Sequence, residues 1–244
     1  MCYNDNIPAI LWPYSHRRCR IDMISVALDG PAGAGKSTIA KEAARRLGFL
    51  HVDTGALYRA IGLDVLRRGE DPADPAQVLP RLEETGITLR FTAQGQRIFL
   101  RGEDVSEAIR EPRASMAASS VSAMPEVRRF LLELQRDLAR KNDVIMDGRD
   151  IGTVVLPGAD VKIFLTAAPE ARAMRRYKEL VEKGTQADYD TVLREVKERD
   201  YNDSHRAAAP LRQAEDAWLC DTTELTLEGS IQAVVDHVRE RTQR

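Results

Sequence analysis

Ile24–Asp29 is an apolar run that closes on an aspartate, and Phe49–Asp53, Asp143–Asp147 and Val161–Leu165 have the same character. Short apolar runs bounded by turn residues predict buried strands. Lys36–Leu47 is rich in Ala, Lys, Glu, Arg and Leu, which predicts a helix. Thr54 is placed to cap a second helix running to about Arg68, where Gly69 stops it. Asp71–Glu84 carries Pro72, Pro75 and Pro80 and then a short helix. Met124-Pro125-Glu126 opens a helix to about Arg140, with Val127, Phe130, Leu131, Leu134 and Leu138 on one face. Further helices are predicted over Pro169–Lys183, Ala187–Asp203 and Thr226–Arg241. Strands alternating with helices predict an α/β fold with a parallel sheet covered on both faces. One stretch breaks the pattern. Ile87–Phe91 and Arg97–Leu100 alternate around Ala93-Gln94-Gly95-Gln96, which predicts an antiparallel hairpin and hence an inserted lobe.

The chain has 244 residues and a formal net charge of −2. It has no excess of positive charge to hold nucleic acid. No apolar run approaches the roughly 18 residues of a membrane span, so no membrane partner is expected. Cys2, Cys19 and Cys220 have unrelated spacings and offer no disulfide framework, which favours a cytoplasmic location. Residues 1–22 differ from the rest, with Pro8, Trp12, Pro13 and the basic run Arg17-Arg18-Cys19-Arg20. They contain no apolar core for a secretory signal, and His16, Cys19 and a distant Cys2 are too few for a metal site. This extension reads as a disordered tail, with Met23 as an alternative start of translation.

Between the first strand and the first helix lies Gly30-Pro31-Ala32-Gly33-Ala34-Gly35-Lys36-Ser37-Thr38, a complete G-x-x-x-x-G-K-[ST] phosphate-binding loop in its required strand–loop–helix context. Its glycines let backbone N–H groups close around an anion, and the helix start adds its own. Lys36 supplies a point charge for the β- and γ-phosphates, and the Ser37 hydroxyl can reach Mg²⁺. Asp147, at the end of an apolar strand, suits the acidic residue that holds Mg²⁺ directly or through water. There is no Asn-Lys-x-Asp guanine-reading motif, and no apolar strand ends in Asp-Glu. Those absences count against a GTPase and a motor ATPase, and leave transfer of a phosphoryl group to a small acceptor.

Further segments carry a resemblance: Asp53-Thr54-Gly55-Ala56-Leu57-Tyr58-Arg59, Gly102-Glu103-Asp104-Val105-Ser106, Asp147-Gly148-Arg149-Asp150-Ile151-Gly152-Thr153 and Lys197-Glu198-Arg199-Asp200. With the phosphate loop, they make residues 24–244 similar to the bacterial cytidylate kinases, within the nucleoside monophosphate kinase family. The resemblance implies one domain over residues 23–244. It comprises a phosphate-loop core, a monophosphate-binding lobe at about 54–125 that holds the hairpin, and a helical lid at about 170–200. It implies transfer of the γ-phosphoryl group of ATP to CMP or dCMP by a monomer, with Mg²⁺ as cofactor.

The resemblance also distributes the acceptor's contacts. Thr54 is among the CMP-binding residues, Tyr58, Arg59 and Arg149 fall near its phosphate, Arg199 and Asp203 near its pentose, and Arg206 near phosphate again. Ser119, Arg128 and Asp150 fall around the cytosine ring, where a carboxylate can accept from the N4 amine. Arg172, Arg175 and Arg176 share a helical face whose local acid is sparse, as a lid closing over triphosphate would need. Lys36, Arg149, Arg176 and Arg206 are the expected catalytic set. Two readings stay open beside this one: a shikimate- or adenylate-type kinase on the same core, and a non-catalytic nucleotide sensor.

Overall fold

The computed structural model describes residues 23–92, 95–182 and 184–243; the expectations for the N-terminal extension and for Met23 as its boundary concern residues 1–22, outside those described. Five strands form a parallel sheet: β1 (Ser25–Asp29), β2 (Leu50–Asp53), β6 (Val144–Gly148), β7 (Val161–Thr166) and β8 (Trp218–Asp221), in the order β2-β6-β1-β7-β8. Along β1 and β6, Asp29 stands beside Gly148, and along β2 and β6, Asp53 stands beside Asp147. This register brings the carboxyl ends of the central strands to one edge of the sheet, where open α/β sheets hold ligands.

Both faces are covered. On one, Ile39, Ala40, Ala43 and Ala44 of α1 (Lys36–Leu47) and Ile231, Val234, Val235 and Val238 of α8 (Leu227–Thr242) pack against Val26, Leu28, Ile163 and Leu165. On the other, Val52, Val144 and Met146 meet Ala139 of α5 (Pro125–Lys141) and Ile151 and Val155 of a π-turn, Ile151–Val155. No helix among the described residues is long and apolar enough to cross a membrane.

The inserted lobe has its own core. Leu57, Ile61 and Leu63 of α2 (Thr54–Arg67) bury against Ile98 and Leu100 of the hairpin and against Val121 of α4 (Pro112–Ser122), with Val127 and Leu131 of α5 closing it. α2 and α4 pack closely because Gly62 carries no side chain: a Cβ there would lie 2.8 Å from that of Ala117. The antiparallel sheet has three strands, β3 (Thr88–Thr92), β4 (Gly95–Leu100) and β5 (Glu103–Asp104), one more than the alternation predicts. Gln96 fastens the lobe to the main sheet, accepting from Asp53 N at 2.9 Å and donating to Asp53 O at 3.0 Å.

Two helices, α6 (Pro169–Glu182) and α7 (Tyr189–His205), form a separate hairpin with a small cluster of its own, Ala173, Val192 and Val196. Predicted element ends hold to within two residues at most places. At α2 the cap differs: Asp53, not Thr54, accepts from Ala56 N, while the Thr54 hydroxyl donates to Asp147 O at 2.8 Å. The proline-rich stretch makes one α-turn, α3 (Pro75–Val78), followed by two 3₁₀ turns. The helix α4 and the edge strand β8 are not anticipated by the sequence pattern.

Candidate active site

The phosphate loop follows directly from its residues. Gly30, at φ 150°, passes so close to β7 that a Cβ would stand 1.9 Å from Leu165 O, so only glycine turns the chain there. Lys36 is buried and its Nζ donates to Pro31 O at 2.7 Å. Burial, then the positive charge of Arg149, pushes its pKa well below the usual lysine range. An anion placed in the loop would reverse that penalty.

Beneath the loop, the Ser37 hydroxyl donates to Asp147 Oδ2 at 2.6 Å and His51 Nε2 lies 2.7 Å from Asp147 Oδ1. Burial raises the Asp147 pKa, but the hydrogen bonds from His51 and Ser37 and the Lys36 charge outweigh it and hold it below the ordinary carboxylate value. The carboxylate only accepts, so Nε2 of His51 carries the hydrogen. His51 is a site residue that sequence reasoning missed. Its place beside Asp147 depends on the pairing of β2 with β6, which no local pattern reveals.

Across the cleft, cations and carboxylates hold one another. Arg59 donates to Asp53 at 2.6 Å, Arg149 to Asp203 at 2.8 Å, and Arg128 pairs with Asp150, whose other oxygen lies 3.7 Å from Arg206. Asp203 thus ties α7 to Arg149. Arg206 caps α7 in extended backbone and donates to Ala209 O. Burial raises the Asp203 pKa, yet Arg149 and Arg199 hold it below its usual range. Burial, then Arg149, lowers that of Arg199. The Arg128 guanidinium also lies over the buried Tyr58 ring, 5.3 Å from its centroid. One nitrogen of Arg206, its NH2, is buried without a hydrogen-bond partner.

One cleft is lined by Lys36, Ser37, Thr38, Thr54, Tyr58, Arg59, Ser119, Arg128, Asp147, Arg149, Asp150, Arg199, Asp203 and Arg206 together with Ala32, Gly33 and Gly35. Gly30, Pro31, Ala34, Arg172, Arg175 and Arg176 are not among its lining residues. Arg172 departs from the expectation of sparse acid. It is 3 % exposed and paired through two nitrogens with Asp200 of α7, and it also donates to Ala32 O and Ala167 O. Its acid partner comes from another helix, which helical spacing cannot show. Arg175 donates to Thr222 O at 2.5 Å, and Arg176 is exposed. Ser115 and Ser122 join Ser119 in the lining, brought there by the unanticipated α4.

A family model described as cytidylate kinase matches residues 26–242. The chain belongs to the cytidylate kinase family. A cytidylate kinase of Caldicellulosiruptor saccharolyticus is 54% identical over 213 residues, covering 87% of this chain and 94% of that protein. One from Caldanaerobacter subterraneus subsp. tengcongensis is 51% identical over 219 residues, covering 90% and 96%. A solved structure of an uncharacterized protein from Eubacterium ventriosum aligns over 90% of this chain and 99% of its own, with a TM-score of 0.51 at 13% identity; that likeness concerns the fold alone.

Proposed function

We propose that the chain transfers the γ-phosphoryl group of ATP to CMP or dCMP, giving ADP and CDP or dCDP. One observation carries this reading: Arg59, Arg128, Arg149, Arg199 and Arg206 line the same cleft as Ala32, Gly33, Gly35, Lys36, Ser37 and Thr38 of the phosphate loop. A nucleotide sensor has no need of a second polyanion grip, whereas a kinase must bring two polyanions together and neutralise them without admitting water.

The donor's phosphates lie in the loop, with Lys36 leaving Pro31 O for the β- and γ-oxygens. Ser37 and Asp147 offer hard oxygen donors 2.6 Å apart, and among the described residues no group of three or more His, Cys, Asp and Glu could hold a metal ion. That donor set fits Mg²⁺, which takes one or two protein ligands and completes its shell with water and phosphate. Bound there, the ion would neutralise charge on the donor's phosphates.

On the acceptor side Arg59, Arg149 and Arg206 turn toward the monophosphate, the last with the nitrogen that makes no hydrogen bond. Arg199 and Asp203 hold the pentose, and Thr54 and Tyr58 shape the floor. Ser119, Arg128 and Asp150 read the cytosine. No general base of unusual pKa is required, since positioning and charge neutralisation supply most of the rate in phosphoryl transfer.

The hairpin of α6 and α7 acts as the lid of this reading, and residues 54–125 as its monophosphate-binding lobe. Arg172 serves the lid by tying α6 to the loop carbonyl of Ala32, so closure leaves its base in place. Arg175 and Arg176 meet the triphosphate as the lid closes.

A coupled assay for ADP formation tests the reading against its rivals. CMP and dCMP are expected to support turnover far above AMP, UMP and shikimate. Binding of ATP with no turnover on any acceptor would favour the sensor instead.

A further inference from the structure

Asp29 ends β1 directly before the phosphate loop, and none of the contacts assigned to either nucleotide uses its carboxylate. It is 5 % exposed, and its two oxygens accept from two successive backbone amides, Ile151 N at 2.8 Å and Gly152 N at 2.7 Å. Those amides open the π-turn that follows Arg149 and Asp150. Burial pushes the Asp29 carboxyl up to about 6, against the lowering effect of the same two amides. A charge kept in such a place is costly unless its bonds are needed.

The other end of the turn is fastened as well. Arg136 of α5 donates through Nε to Val155 O at 3.0 Å and through NH2 to Val154 O at 3.2 Å. Inside the turn, Val154 N and Val155 N both bond back to Asp150 O, at 2.9 and 3.1 Å. The backbone of Asp150 is therefore set by the turn, and the turn is set by an anion from β1 and a cation from α5. The same helix α5 carries Arg128, the partner of the Asp150 side chain.

We propose that Asp29 and Arg136 are positioning residues that fix the Arg149–Asp150 segment for the acceptor nucleotide. Asp29 makes the strand that delivers the phosphate loop also register the segment that reads the acceptor. The inference rests on the reading of Arg149 and Asp150 as acceptor contacts.

The experiment is equilibrium binding of CMP, UMP and ATP, each alone, to the wild-type protein, D29N and R136M. Failure of the wild type to bind CMP would contradict the proposed function itself, separately from this inference. In D29N one amide of the turn faces an NH₂ group instead of an acceptor. CMP affinity should fall about tenfold, with ATP affinity within twofold and the CMP-to-UMP ratio reduced. R136M, altered at a half-buried site on α5, should show the same pattern at about threefold. Equal losses for CMP and ATP would reveal a merely structural role and overturn the proposal, as would unchanged CMP affinity in either folded variant. Should D29N not fold, R136M decides alone.

Discussion

On one side of the cleft a single contiguous loop, Gly30–Thr38, presents backbone amides and one buried lysine. On the other, Asp53 and Arg59, Arg128 and Asp150, and Arg149 and Asp203 are drawn from the end of β2, α2, α5, the segment after β6 and α7, and pair with one another. The donor half owes its form to backbone that only glycine permits, and it stands ready for an anion. The acceptor half owes its form to side chains of opposite charge, most of which already pair with one another. A substrate entering it must exchange its phosphate and base for those internal partners. The first arrangement favours affinity for a common anion; the second favours discrimination, because a wrong ligand leaves buried charges unpaired.

The largest effect that would separate the two halves is expected in Lys36→Met. In the proposed reading Lys36 is the residue of the loop that sets a positive charge at the β- and γ-phosphates, so turnover should fall by about 10³-fold or more. CMP binding, measured alone by calorimetry, should stay within a few-fold. Near-normal turnover with ATP and Mg²⁺ saturating would remove the loop from the mechanism.

That contrast also decides what the sequence could show. The loop is legible because its chemistry lies in consecutive residues and its strand and helix flank it. Apart from Arg59 and Asp53, six residues apart, the acceptor pairs are not, because strand register and helix packing bring them together from distant parts of the chain. Arg149 meets Asp203 across 54 positions and Arg128 meets Asp150 across 22. The resemblance named Arg59, Arg149, Asp150 and Arg206, and the structure brings them to one cleft, but it said nothing of which partner of opposite charge each would hold. Among the elements, β8 escaped notice because it is a short edge strand in which only Cys220 is buried. α4 escaped because its buried positions are Ala114, Ala117, Ala118 and Val121, small residues that make a weak apolar stripe. The strong helix α5 was legible from its spacing alone.

A smaller effect would sharpen the comparison through the lid. α6 and α7 share a modest cluster of their own and meet at Gly184, whose φ of 74° suits a glycine hinge. Amide hydrogen exchange over residues 170–206 should slow when ATP and CMP are present together, and less with either alone. Protection that does not change with both nucleotides would leave Arg172 and Arg175 as structural ties and Arg176 as ordinary surface charge.

The central claim is that the acceptor half reads cytosine through an exchange of partners at Asp150. Cytosine offers its N4 amine to that carboxylate, whereas uracil would set O4 against it. Leaving such a group unpaired costs about 1–3 kcal/mol, or roughly fivefold to over a hundredfold in affinity. Asp150→Asn can present either a donor or an acceptor. The decisive measurement is kcat/KM for CMP and UMP in the wild type and in this variant. The account predicts a strong preference for CMP in the first and a much narrower one in the second. An unchanged CMP-to-UMP ratio would contradict it and leave Asp150 as no more than the structural partner of Arg128.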